Sequence, residues 1–212
     1  MFKKYGVLGI ILIILVEINF FLKIEPFATW YFPIIWISYI LVIDALVYNI
    51  RNKSLINNHI LSFLGLFILS AIFWEIFEVF NLFIQNWSYM GVDSLINNNL
   101  KNVYKFISFS TVLPALFETT SLIISIKLFD KIKLKKNHNI HKTTLYVMVA
   151  LGIICFFLPI VFPSFAFPLV WLSFFLILDP INYVNNQPSI LGYIKNKRLG
   201  IPLSLLLAGI ML

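Results

Sequence analysis

The sequence predicts an all-α fold, a polytopic membrane helix bundle of about seven transmembrane helices in a 3+1+3 parallel-repeat arrangement, with the last helix short or truncated. Three observations lead there. The 212 residues are 60% hydrophobic, 17% aromatic and only 12% charged, and the mean hydropathy is +0.93. Apolar residues fall in runs long enough to cross a hydrocarbon core of about 30 Å. One stretch of sequence also recurs 135 residues later. This composition excludes a disordered tail, a collagen and a soluble Rossmann or barrel enzyme. A single cysteine, Cys155, excludes an internal disulfide framework and any Cys-rich zinc or iron–sulfur site.

The first run, 5–22, follows Lys3 and Lys4 as a signal peptide would. Glu17 and Asn19 stand where a small-residue cleavage site belongs, so the run reads as a retained first helix. Runs at 32–50 and 60–84 supply the second and third helices, and 106–127 the fourth, which Pro114 should kink. Runs at 143–162 and 167–184 give the fifth and sixth. A seventh begins at Leu199, and the residues after Arg198 make about 21 Å of helix, short of a full span. The organisation expected is a first three-helix unit at 1–85, an outer loop, linker helix and basic cytoplasmic loop at 86–142, and a second, incomplete unit at 143–212.

Sixteen Lys and Arg against nine Asp and Glu give a net charge of +7. With a cytoplasmic N-terminus, all the basic residues except Lys23, Lys101 and Lys105 fall on the inner side. The positive-inside rule therefore predicts a multi-pass cell-membrane protein with inner loops at 51–58, 128–142 and 185–198. The charge is a topology signal and not a nucleic-acid patch, because the basic residues lie in separate loops without interleaved aromatics. Membrane lipids are the expected surroundings, and no nucleic-acid partner is expected. The Lys131–Lys136 cluster reads as a solvated loop, with contact to anionic lipid as the sharper alternative. His138 and His141 lie three apart with no acid or thiol nearby, so no metal and no cofactor are expected. The run Asn97 to Asn99 reads as compositional bias.

The repeat pairs Phe32-Pro33-Ile34-Ile35-Trp36-Ile37-Ser38 with Phe167-Pro168-Leu169-Val170-Trp171-Leu172-Ser173. It continues through Asp44 with Asp179, Tyr48 with Tyr183 and Ser54 with Ser189. Chance agreement between apolar segments accounts for shared Leu and Phe; it does not account for Pro, Trp and Asp in register. Both copies run from outside to inside, so the repeat is parallel, and Leu199 onward corresponds to the third helix.

Charged side chains at the centre of a bilayer cost about 2.5–3.5 kcal/mol each on insertion scales, which makes them candidates for function. Asp44, Asp179 and Glu118 each lie about 18 Å from the outer end of their spans, and Glu75 about 15 Å. Glu75, Glu78, Asn81 and Gln85 recur at helical spacing beside Trp74 and Trp87, drawing a polar stripe that cannot face lipid. No Lys, Arg or His occupies the core of a span. The carboxyls must therefore be protonated, share protons, bond to hydroxyl or indole groups, or hold a cation. Asp44 and Asp179 are expected to be structural, bonding Tyr48 and Tyr183 or the backbone of the next loop. Glu75, Glu78 and Glu118 are expected to converge as catalytic residues on one water-poor cavity, with Trp74, Asn81 and Gln85 binding substrate. Glu17 is expected at the interface, Trp36 and Trp171 in an aromatic belt or the repeat packing, and Cys155 in the core.

A desolvated Glu can serve as a general acid, with a second carboxylate and aromatic faces stabilising a developing cation. This points to acid-assisted chemistry on an apolar isoprenoid or lipid substrate. Trp87-Ser88-Tyr89 followed by Pro114-Ala115-Leu116-Phe117-Glu118, in a duplicated chain of short helices, resembles the tandem-repeat carotenoid (lycopene) cyclases. The resemblance implies two three-helix units and an acid of a Pro-x-Glu-Glu motif within the membrane, for which Glu118 is the one position here. In this chain three residues separate the Pro from a single Glu. The 3+1+3 plan also resembles the small sugar carriers with PQ-loop repeats, which implies proton- or cation-coupled transport, although no Pro-Gln pair occurs. A third alternative is a membrane assembly subunit whose partner completes the short last helix.

Overall fold

A computed structural model describes residues 2–89, 97–132, 134 and 139–212. The expectations placed on Lys133, Lys135, Lys136 and His138 lie outside the described residues. The protein is 77% helical, with no strands among the described residues. The order is α1 (Lys4–Leu22), α2 (Tyr31–Arg51), α3 (Leu55–Asn58), α4 (Ile60–Ile84), α5 (Asn98–Ser110), α6 (Val112–Ser125), α7 (Lys142–Val161), α8 (Pro163–Ala166), α9 (Leu169–Val184), α10 (Ile190–Lys195) and α11 (Gly200–Met211).

Five helical stretches are long and apolar enough to cross a membrane: α1, α2, α4, the continuous 98–125 stretch of α5 and α6, and α7. Helices α9 and α11 are apolar but shorter. The fourth crossing thus starts at residue 98, before the predicted 106, because Asn97 caps it by accepting from the Asn99 N–H at 2.9 Å. The sixth starts at Leu169 because the chain breaks around Pro168 after the short α8. Large apolar side chains such as Leu61, Leu82 and Phe165 face outward, as they do in a chain whose solvent is hydrocarbon.

The chain forms two compact units, one of residues 1–76, 89–128 and 204–212, the other of 77–88 and 129–203. These differ from the sequence units 1–85 and 143–212, since α5 and α6 join the first and α4 runs from one into the other.

In the first unit α1 and α2 lie antiparallel and close. A Cβ on Gly9 would come within 2.7 Å of the Ser38 carbonyl oxygen, 2.9 Å of Val42 Cγ2 and 3.2 Å of Leu41 Cβ. In the second unit α7 approaches α9 in the same manner, and a Cβ on Gly152 would meet Ile177 Cγ1 at 2.6 Å and Leu176 Cβ at 3.1 Å. Leu41 and Val42 are the residues 135 positions before Leu176 and Ile177. Small residues permit such backbone approach in a medium that offers no hydrophobic drive between helices. Further along the α1–α2 pair, toward the connecting turn, the helices part around an apolar cavity of about 510 Å³ lined by residues including Leu12, Val16, Ile34 and Ile37.

Helix α2 also packs against α6. Ile40, Phe63 and Ala115 form a core cluster with Trp36, Tyr39 and Phe67 against it. The helical stretch is interrupted at Thr111, between α5 and α6, three residues before Pro114. Ser70 Oγ accepts from the Leu113 N–H at 3.0 Å and donates to the Phe109 carbonyl at 2.5 Å. That hydroxyl takes the place of the Leu113-to-Phe109 rung of the helix ladder, and an inserted side chain bends a helix.

Candidate functional site

Two short hydrogen-bonded brackets follow the two copies of the repeated segment. In the first, Ser54 caps α3 by accepting from the Asn57 N–H, and Asp44 Oδ1 accepts from the Ile56 N–H at 2.9 Å. In the second, Ser189 caps α10 by accepting from the Gly192 N–H at 3.0 Å. Asp179 there accepts from the Ile190 N–H at 2.5 Å and the Leu191 N–H at 3.0 Å. The first turn of a helix leaves its N–H groups without partners, and a carboxylate answers both the donors and the positive end of the dipole. Both acids thus bond the backbone of the next loop. Tyr48 and Tyr183 are not their partners; each ring carries a lysine ammonium instead, Lys3 Nζ at 3.9 Å and Lys195 Nζ at 5.6 Å from the centroid.

The two acids differ in their second oxygen. Asp179 spends both on backbone donors. Asp44, 0% exposed, gives its Oδ2 to the Tyr5 hydroxyl at 2.5 Å, with the Ser54 side chain also facing that hydroxyl. Beside Asp44 lies Glu118, within reach of its side chain and near enough to feel its charge. Glu118 is 0% exposed, and neither of its carboxyl oxygens meets an N–H or hydroxyl donor. Its place on α6 is fixed by the neighbouring Thr119, whose hydroxyl donates to the Ala115 carbonyl at 2.7 Å and meets the Tyr39 hydroxyl of α2 at 2.7 Å. No Lys, Arg or His is hydrogen-bonded to either acid among the described residues. A buried carboxyl without a counter-ion is stable only if a proton or a cation accompanies it.

The other expected site residues take different places. Glu75 and Gln85 are exposed, so the stripe on α4 does not face inward along its length as predicted. Glu78, half-buried, accepts from the Trp87 indole N–H at 3.0 Å. Asn81 donates to the Trp87 carbonyl at 2.8 Å and accepts from the Asn86 N–H at 2.9 Å. With Gln85 in the left-handed region at φ 49°, these polar groups serve the turn that ends α4, which explains their helical spacing without a ligand. The Trp74 indole N–H donates to the Tyr89 hydroxyl at 3.2 Å. Glu17, exposed, accepts from the Tyr31 hydroxyl at 2.7 Å. Trp36 packs on Tyr39 at 5.7 Å, Trp171 stacks on Phe77 at 4.0 Å, and Cys155 is half-buried.

The partner that the sequence reading missed is Tyr5. Its signal was indirect: Gly6 and Gly9, three apart on one face of α1, mark the side that approaches α2, and Tyr5 sits at the end of that side. Among the described residues no group of three or more His, Cys, Asp or Glu could hold a metal ion. Compared with protein-family models, curated proteins and solved structures, the chain matches none.

Proposed function

We propose that the chain is an integral membrane protein that carries out acid-assisted chemistry on an apolar isoprenoid or lipid substrate, with Glu118 as proton donor and Asp44 as its charge-holding partner. The single observation that carries this reading is Glu118 itself, fully buried, with no N–H or hydroxyl donor at either oxygen and set beside a second acid. Charge repulsion and the apolar surroundings favour one proton held by the pair, and a neutral carboxyl is what protonation of an apolar substrate requires. Glu75 and Glu78 are set aside, the first because it is exposed and the second because Trp87 engages it.

The proposal includes the parallel 3+1+3 repeat and the cytoplasmic N-terminus. Matching brackets at Asp44 and Asp179, matching serine caps and matching glycine contacts support the repeat. The likeness to the carotenoid cyclases is kept as the chemical precedent, with Glu118 as its carried-over acid. Membranes holding the protein, incubated in heavy water with linear isoprenoids or total lipid extract, should place deuterium on carbon. Glu118→Gln should abolish that incorporation while preserving assembly. Equal incorporation by wild type and Glu118→Gln overturns the reading.

A carrier reading draws on the same burial, since an acid pair closed off from solvent suits the occluded state of proton-coupled transport. Uptake of solute into sealed vesicles along a proton gradient, without deuterium entering lipid, would decide for it.

A further inference from the structure

We propose that Tyr5 is the proton-exchange residue of the buried acid pair, the group through which Glu118 is recharged from the aqueous face that carries Lys3, Lys4 and Arg51. The inference rests on the reading of Asp44 and Glu118 as the working acids and names how that site is supplied.

Three observations lead to it. Asp44 and Glu118 are each 0% exposed, whereas Tyr5, in the first turn of α1, is half-buried. Its side chain is thus open to solvent in part, and its hydroxyl ends on Asp44 Oδ2 at 2.5 Å. The bracket does not need this hydroxyl for its own sake, because Asp179 closes the equivalent bracket with two backbone N–H donors. Asp44 gives up one of those donors and takes a titratable, half-exposed one. Glu118, with no N–H or hydroxyl donor at either oxygen, lies within reach of the Asp44 side chain.

Of the charged groups at this end, Lys3 sits over the Tyr48 ring one turn along α2 from Asp44. Ser54 faces the Tyr5 hydroxyl from the α3 cap and offers a second hydroxyl at the same point.

The transfer balances as three proton hops. After Glu118 has given up its proton, water delivers one to the Tyr5 oxygen as the original Tyr5 O–H proton passes to Asp44 Oδ2. The Asp44 proton then passes to a Glu118 oxygen. Tyr5 and Asp44 end as they began, and one proton has moved from water to Glu118. The Glu118 carboxyl lies within hydrogen-bonding reach of the Asp44 side chain, so the last hop runs directly between the two carboxyls.

The test is infrared spectroscopy of the full chain in lipid membranes, following the carbonyl stretch of protonated carboxyl groups after transfer into heavy water. Glu118→Gln should remove a band that Glu75→Gln leaves in place. Tyr5→Phe should keep that band at its wild-type frequency while slowing its deuterium shift about tenfold or more, within the range that a positioned acid–base group contributes. A merely structural role for Tyr5 would alter the frequency or speed the exchange by opening the site, and either result overturns the proposal. So does an unchanged exchange rate. Should Tyr5→Phe fail to assemble, site-specific 3-fluorotyrosine at position 5 keeps the bond with a more acidic hydroxyl. Faster exchange then supports the proposal, and unchanged exchange overturns it. A spectrum that Glu118→Gln does not alter would instead overturn the acid-pair reading beneath it. Failure of deuterium to enter lipid, with the exchange result as expected, would overturn the proposed chemistry alone.

Discussion

Asp44 and Asp179 stand 135 positions apart and each holds the backbone of the loop that follows it, yet substitution should separate them. Asp179→Ala removes the acceptor for two backbone N–H groups at the start of α10. It should cost about 2–4 kcal/mol of stability, from roughly 1.5–3 kcal/mol for each hydrogen bond to a charged group, less water's compensation. Thermal unfolding in detergent would measure this, and the Glu118 carboxyl band should not change. Asp44→Asn keeps the acceptor for Ile56 and should unfold within a few degrees of wild type, but it should abolish deuterium transfer if the pair is the working acid. The sequence made these acids visible because an aspartate inside an apolar run has few physical excuses. It did not show which oxygen each residue would spend, since that depends on whether a tyrosine 39 positions away arrives by helix packing. Glu78 and Asn81 misled for a related reason. A chain that ends a helix and turns back needs polar groups one turn apart, which is the spacing of a ligand-binding face.

Between helices, the contacts turn on few atoms. Gly9→Val pushes a branched side chain into the Ser38 carbonyl oxygen at 2.7 Å from the first added carbon, and Gly152→Val into Ile177 Cγ1 at 2.6 Å. Each should destabilise the protein by about 1–3 kcal/mol or force its pair of helices apart. Gly65 on α4 has nothing within 4 Å of an added Cβ, so Gly65→Ala should stabilise by about 1 kcal/mol through helix propensity. Ser70→Ala removes the hydroxyl that joins Leu113 to Phe109 and should cost about 1–3 kcal/mol, because a buried N–H and carbonyl lose their shared partner. Parallel unfolding curves for the four variants would test the ranking. Hydropathy marked every one of these helices. It placed the starts of the fourth and sixth poorly, because caps such as Asn97 and breaks such as Pro168 are local stereochemistry that an averaging window smooths away. Pro114 marked the neighbourhood of the interruption at Thr111; Ser70, 43 residues distant, is a tertiary partner with no local mark.

For the chain as a whole, the topology reading makes one demand. With Cys155 replaced, single cysteines at Lys53 and Lys195 should react with an impermeant reagent only after the membrane is opened, and cysteines at Lys23 and Lys101 should react in intact cells. The reverse pattern would invert the orientation and leave the repeat untouched. Charge distribution made this expectation possible, since loop lysines sort by membrane side whatever the helices do between them. The arrangement of helices was less accessible, because lipid-facing and core-facing residues are alike apolar and the usual inside-out contrast is missing. The two brackets carry a further meaning in terms of biosynthesis. Each joins residues only 11 or 12 positions apart, so each can close while its segment is still leaving the ribosome. The bond to Tyr5 spans 39 positions and reaches back to chain already made. Glu118 is translated long after Asp44. The nascent protein can therefore shelter one acid within a closed turn before the second is made, and the two carboxyls can face each other only once α6 has docked.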